Sequence, residues 1–277
     1  MRRRLLRACG VVTAGAALLL AGCSEGDGGA GGNGAAKGGG KGGKEPSASA
    51  PPTASPTPSP AGVDFTPDPS RAPKTTADAD RLAREIVAGP DAWGPDYVKR
   101  TPYLSAPGSW PVLDANCTWE GGDRPGSVLS SVTAYSEIPA AGGKGPLRVA
   151  ATVTVHRTES DADWEMSETL EEALRCPDQR LRDGERVIGL TSLGTPYGTG
   201  GNTSTIDTVL ERGDYLNVAF KGRHYYTWLQ SRVGQVTVAT VVKGAPGYTE
   251  EAGANDAQVR ANVIMQDRVK KQLGAQS

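Results

Sequence analysis

From Ser24 to about Thr75 the chain has almost nothing to bury, and this decides where a fold can begin. The stretch "GDGGAGGNGAAKGGGKGGK" is glycine, alanine and lysine with little else, and "EPSASAPPTASPTPSPAG" is proline, serine, threonine and alanine. The first reads as flexible coil and the second as a stiffer polyproline-like spacer. Without apolar side chains neither recovers the conformational entropy that ordering would cost. About 50 such residues have a relaxed span of about 40 Å. Residues 23–75 therefore read as a disordered tether. Residues 76–277, roughly 200 of them, are left as a single domain large enough for a real core.

Ahead of the tether, Arg2, Arg3, Arg4 and Arg7 precede an apolar run, Val11–Leu20. Ten apolar residues are too few for a bilayer span, which needs roughly 20, so 1–22 reads as a signal peptide. It ends in Leu20-Ala21-Gly22-Cys23. These four residues resemble the lipobox of bacterial lipoproteins, in which cleavage frees the cysteine for acylation. Thiolate nucleophilicity suits Cys23 to that role, and several acyl chains such as palmitate anchor where one would not. The competing reading is an ordinary secretory site with a chance cysteine. The expected location is the extracellular face of the bacterial cytoplasmic membrane, lipid-anchored.

The whole chain has 30 basic and 31 acidic residues. Four arginines lie in the leader, and the tether holds five basic and five acidic residues. The domain keeps 21 and 26, a net of −5. No basic patch stands out in the sequence, which argues against nucleic acid and against docking on an acidic lipid surface.

Periodicity places the elements. Thr75 and Asp78 have capping-box spacing ahead of an apolar stripe, Ala79, Leu82, Ala83, Ile86 and Val87, stopped by Gly89-Pro90. Loops rich in Pro, Gly and Trp follow, up to "NCTWEGG". Strands are expected at Val128–Ile138 and Leu147–Arg157. In the second, Leu147, Val149, Ala151, Val153 and Val155 alternate against Arg148, Thr152, Thr154 and His156. A helix is expected from Ser160 to Cys176, with Ala162, Met166, Leu170, Ala173 and Leu174 on one face and Trp164 nearly opposite. Further strands are expected at Glu185–Leu193, Thr203–Glu211, Tyr215–Lys221, Arg223–Ser231 and Gln235–Lys243, with turns at Arg212-Gly213-Asp214 and Gly234. A last helix runs from Asn255-Asp256 to about Leu273, with Ala261, Met265, Val269 and Leu273 in line. The order predicts α+β, an antiparallel sheet flanked by helices.

Cys117 and Cys176 remain in an oxidising compartment, and a disulfide is the simplest reading, with a metal or redox pair as the rival. The segment "VAATVTVHRTESDADWEMSETLEEALRCPDQRL", the later "RVGQVTVATVV" and the closing helix from "NDAQVRANV" are similar in order to the PknH-like extracellular sensor domains of actinobacterial membrane kinases. Lipoproteins that share that PsbP-like fold follow the same order. The resemblance covers roughly 76–275. It implies an α/β/α sandwich with a groove for a ligand or envelope partner. It departs from the family in offering one disulfide where two are usual, and it transfers no binding residue.

No GxSxG, HExxH, CxxC or phosphate-loop signature is present, so the reading is a non-enzymatic lipoprotein without a catalytic, metal or cofactor site. It would bind a small ligand or a cell-envelope partner. His156 and His224 read as surface residues. Asp78/Asp80 and Asp161/Asp163 read as first-turn charges suited to the helix dipole. "GTPYGTGGNTS", Gly194–Ser204, reads as a hairpin loop that could cover a groove. The ligand candidates are Tyr226 and Trp228 on one strand face, with Trp119 joining them. The rival reading there is plain core packing. Trp164 is either covered by a loop or a partner-binding aromatic on a charged face. Two alternatives stay open. One is an envelope-acting enzyme, favoured by a pocket that gathers Glu165 or Asp207 with His224. The other is a structural accessory protein.

Overall fold

The computed structural model of the chain describes residues 65–195, 207–249 and 255–274. The segment read as a signal peptide (1–22), Cys23, the segment read as a tether up to residue 64 and most of the Gly194–Ser204 segment lie outside the described residues.

Among the described residues four helices and ten strands follow in this order. They are α1 Thr76–Ile86, α2 Pro90–Trp93, β1 Val98–Leu104, β2 Trp110–Leu113 and β3 Trp119–Gly122. Next come β4 Val128–Ile138, β5 Leu147–His156 and α3 Glu159–Arg175. The remainder are β6 Gln179–Arg182, β7 Glu185–Thr195, β8 Asp207–Asn217, β9 His224–Val233, β10 Val236–Lys243 and α4 Asn255–Leu273. Eight strands form one antiparallel sheet in the order β1-β4-β5-β10-β9-β8-β7-β6, and β2-β3 is a separate hairpin. The fold is α+β, as the element order predicts.

The alternation in β5 builds the layers. Leu147, Val149, Ala151, Val153 and Val155 face α1 and α4 in the larger core, which also holds the whole α1 stripe and Ala261, Met265, Val269 and Leu273 of α4. Thr75 caps α1, its hydroxyl accepting from Asp78 N at 3.1 Å. A second stripe of α4, Gln258, Asn262 and Gln266, is buried too. Gln258 and Asn262 donate to sheet carbonyls of Thr240 and Leu229 at 2.9 and 3.2 Å, which satisfies their amides. On the opposite sheet face α3 packs Ala173 into a smaller core with Ala150, Val187, Leu190, Tyr215, Tyr226 and Val241.

The sheet is strongly curled. β5 and β7 stand four strand spacings apart, roughly 19 Å in a flat sheet. Yet Arg148 Nη1 of β5 lies 3.4 Å from Glu185 Oε1 of β7, closer than the two side chains could reach without curvature.

Several expectations are corrected. Arg212-Gly213-Asp214 is not a turn. It runs through the middle of β8, opposite a bulge between Ile188 and Thr191 of β7. A Cβ on Gly213 would meet Ile188 O at 3.1 Å, so glycine here allows close strand approach. The region read as loops before Cys117 contains β1 and β2, and β3 follows directly after it. α3 begins earlier, capped by Thr158 rather than started by Ser160. Leu174 is 83% exposed and not on the buried face. The domain also reaches upstream of Thr76. Phe65 packs on the larger core and Asp68 N donates to Leu273 O at 2.7 Å.

Candidate functional site

The start of α3 builds one side of a cleft. Thr158 Oγ1 accepts from Asp161 N at 3.1 Å, and Asp161 Oδ2 accepts from Thr158 N at 3.1 Å, a reciprocal capping box. Helical spacing then turns Glu165 down to the sheet and leaves Trp164 65% exposed. Glu165 Oε2 accepts from Thr237 Oγ1 at 2.5 Å and lies 2.7 Å from His156 Nε2. Asp163 pairs with Arg232 at 2.7 Å, locking this turn to β9.

His156 corrects the sequence reading. Alternation places it on the polar face of β5, but α3 roofs that face and the side chain is 1% exposed. Glu165 only accepts when ionised, so Nε2 carries the proton of the shared hydrogen bond. Nδ1 is buried without a hydrogen-bond partner.

The opposite wall comes from the β2–β3 hairpin, and the disulfide puts it there. Cys117 and Cys176 are joined with Cα atoms 5.5 Å apart. Asp114 closes the turn before Cys117, its Oδ1 accepting from Asn116 N and Thr118 N at 2.9 and 2.8 Å. Arg175, at the end of α3, donates to Asp114 O at 3.3 Å. The hairpin is thus stapled to the C-terminal end of α3, and Trp110 reaches the N-terminal end. Trp110, Trp164, His156, Asp161, Glu165 and Glu168 line a cleft of about 200 Å³, and no lysine or arginine lines it. Burial pushes the Glu168 carboxyl up, with Glu165 and Glu171 adding to it.

The sequence candidates Tyr226, Trp228 and Trp119 do not line this cleft. Tyr226 is 8% exposed within the smaller core, and Trp228 is half-buried against the same core. Trp119 Nε1 donates to Gln179 Oε1 at 2.8 Å beside the disulfide. Packing, the rival reading, is what the structure gives Tyr226. Under α3 the same face holds Glu172 and Glu211. Burial, reinforced by Glu168, raises Glu172 to about 7. Burial, with Glu172 adding to it, raises Glu211 to about 8. Ser192 stands opposite Glu211 in the β7–β8 register and tempers that rise, but neither Ser192 Oγ nor Glu211 Oε1 completes a hydrogen bond. His224 is not near Glu165; its ring meets Phe220 edge-on at 5.9 Å. The side chain of Asp207 lies outside the described residues.

A second cleft, of about 450 Å³, lies where the segment before α1 crosses the end of α4. Its charges serve the fold: Arg71 donates to Gly274 O at 2.8 Å and Asp78 pairs with Arg81 at 3.0 Å. Among the described residues no cluster of His, Cys, Asp or Glu is arranged to hold a metal, and no helix is long and apolar enough to cross a membrane. No protein-family model matches the chain, and no curated protein matches it.

Proposed function

We propose that this chain is a lipid-anchored, non-enzymatic surface lipoprotein. In this reading it binds an amine-bearing small ligand or a basic side chain of an envelope partner between Trp110 and Trp164. One observation carries it: two tryptophans and three carboxylates line a single cleft that holds no lysine or arginine. A cation over an indole face gains about 0.5–2 kcal/mol. It would also relieve the repulsion among Asp161, Glu165 and Glu168. The Leu-Ala-Gly-Cys23 motif and the tether support presentation outside the membrane, and the resemblance to PknH-like sensor domains supports an envelope ligand.

The test is tryptophan fluorescence of the full-length protein titrated with a lysine-containing peptide. Saturable quenching is expected, weakened about 2- to 30-fold in Trp164→Ala. Trp164→Ala should keep normal stability, since the residue is exposed. A wild-type protein that shows no saturable change refutes the reading. Cys23→Ala should move the protein from membrane to medium; retention in the membrane fraction refutes the anchor.

The His156–Glu165 pair favours a second reading, an envelope-acting enzyme with His156 as base. Turnover of envelope substrates that is lost in His156→Gln would select it.

A further inference from the structure

The curl of the sheet assembles a charge cluster that the linear sequence hides. Arg100 of β1, Arg148 of β5, Arg182 of β6 and Lys243 of β10 are far apart in the chain. They meet on the face shared with α3, at the far ends of the strands from His156. Eight residues of β5 separate Arg148 from His156, about 26 Å, so this is a different place from the tryptophan cleft.

The cluster contains four cations and two carboxylates. Glu185, with 5% of its side chain exposed, takes Lys243 Nζ at 2.9 Å, Arg148 Nη1 at 3.4 Å and Arg182. Glu137 takes Arg100 at 3.4 Å and Arg148 at 3.9 Å. Among the described residues the ion pairs of these four cations go to Glu137 and Glu185 alone. Two positive charges are left over in a partly buried setting. Arg148 Nε is buried and makes no hydrogen bond. Two aromatic rings complete the walls, with Arg100 5.9 Å from the Tyr135 centroid and Lys243 5.6 Å from that of Tyr215. Side-chain exposures of 21–29% for Arg100, Arg148 and Lys243, and 51% for Arg182, leave the cluster open on one side.

We propose that this cluster is an anion site that takes a doubly charged phosphate-type group, held by the guanidinium forks of Arg100, Arg148 and Arg182 and by Lys243. Guanidinium forks match a tetrahedral oxyanion in two-point contacts. A dianion neutralises the surplus charge, which a neutral or cationic ligand would leave in place. The group could be free phosphate or the monoester headgroup of a lipid.

The test is calorimetric titration of the full-length protein with inorganic phosphate at fixed ionic strength. Sedimentation with phosphatidylcholine vesicles, with and without phosphatidic acid, runs in parallel. Saturable 1:1 binding with a Kd of about 1 mM or tighter is expected. Arg100→Gln and Arg182→Gln should each weaken it about tenfold. Arg180→Gln, whose partner is the exposed Asp183, should leave it unchanged. Arg100→Lys should fall between wild type and Arg100→Gln, and circular dichroism would confirm that each variant is folded. Preference for phosphatidic acid vesicles over free phosphate would assign a lipid source. Absence of binding in both arms overturns the proposal. So does an Arg100→Gln protein that binds as wild type, or an Arg180→Gln protein that loses as much as Arg182→Gln.

Discussion

Replacing Glu211 with glutamine should stabilise the domain in mild base and do little in mild acid. Glu211 is 6% exposed on β8, with Glu172 of α3 above it and Tyr226 beside it. Burial comes first, and Glu172 second, in holding its proton on up to about pH 8. In the unfolded chain a glutamate releases its proton near pH 4.3. Between those values the folded state holds a proton that the unfolded state has lost, so stability falls as pH rises through this window. The gap between those two values corresponds to a ceiling of about 5 kcal/mol. Reorientation of the carboxylate and entry of a water would lower the realised cost to about 2–3 kcal/mol. Glutamine keeps the shape and the neutral state. Glu211→Gln should therefore exceed wild type by about 2–3 kcal/mol at pH 8.5 and match it within about 0.5 kcal/mol at pH 4. Urea midpoints at the two pH values, with an unchanged slope, measure this. Equal effects at both pH values, or destabilisation at pH 8.5, would refute a buried, neutral Glu211.

The acid side should behave in the opposite sense. Burial alone would raise the Glu185 carboxyl, but Lys243 and Arg182 overcome it and hold it at about 2. Its contribution is complete above the unfolded value and is lost as pH falls from about 4.5 towards 2. Glu185→Gln should flatten that acid limb in thermal melts, and an unchanged limb would refute the pairing. Removing the disulfide with Cys117→Ser should cost about 4 kcal/mol on the chain-entropy account. It should also weaken peptide quenching at the cleft, since the staple holds the hairpin that carries Trp110. Thr158→Ala should cost about 1 kcal/mol by urea midpoint; no loss would mean that the cap at the start of α3 contributes nothing.

The elements that sequence reasoning located well are those whose own burial writes the pattern. α1, α4 and β5 each put one apolar stripe into the larger core, and the Cys117–Cys176 pairing followed from compartment and count. β1 escaped because it is an edge strand with little buried surface: its side chains are exposed or half-buried along its length. Gly213 misled for a different reason. A glycine between charged residues has the composition of a turn, yet here it serves close packing against the β7 bulge. Composition alone does not distinguish the two uses.

His156 shows why the candidate site was harder to read than the fold. Alternation correctly assigns it to the face opposite Val155, but polar residues on a strand are wet only if nothing covers that face. What covers it is α3, and α3 is held by contacts 60 or more residues away in sequence, Thr169 to Gln230 and Asp163 to Arg232. Arg148 lies on the same face, and no local pattern foretells its meeting with Glu185, because the curl that joins them is a property of the whole sheet. A net charge of −5 for the domain is compatible with a surplus of two positive charges at one end of this face. Summed charge therefore bounds what the whole surface attracts, while the pairing register and the curl decide where a particular ion can be held.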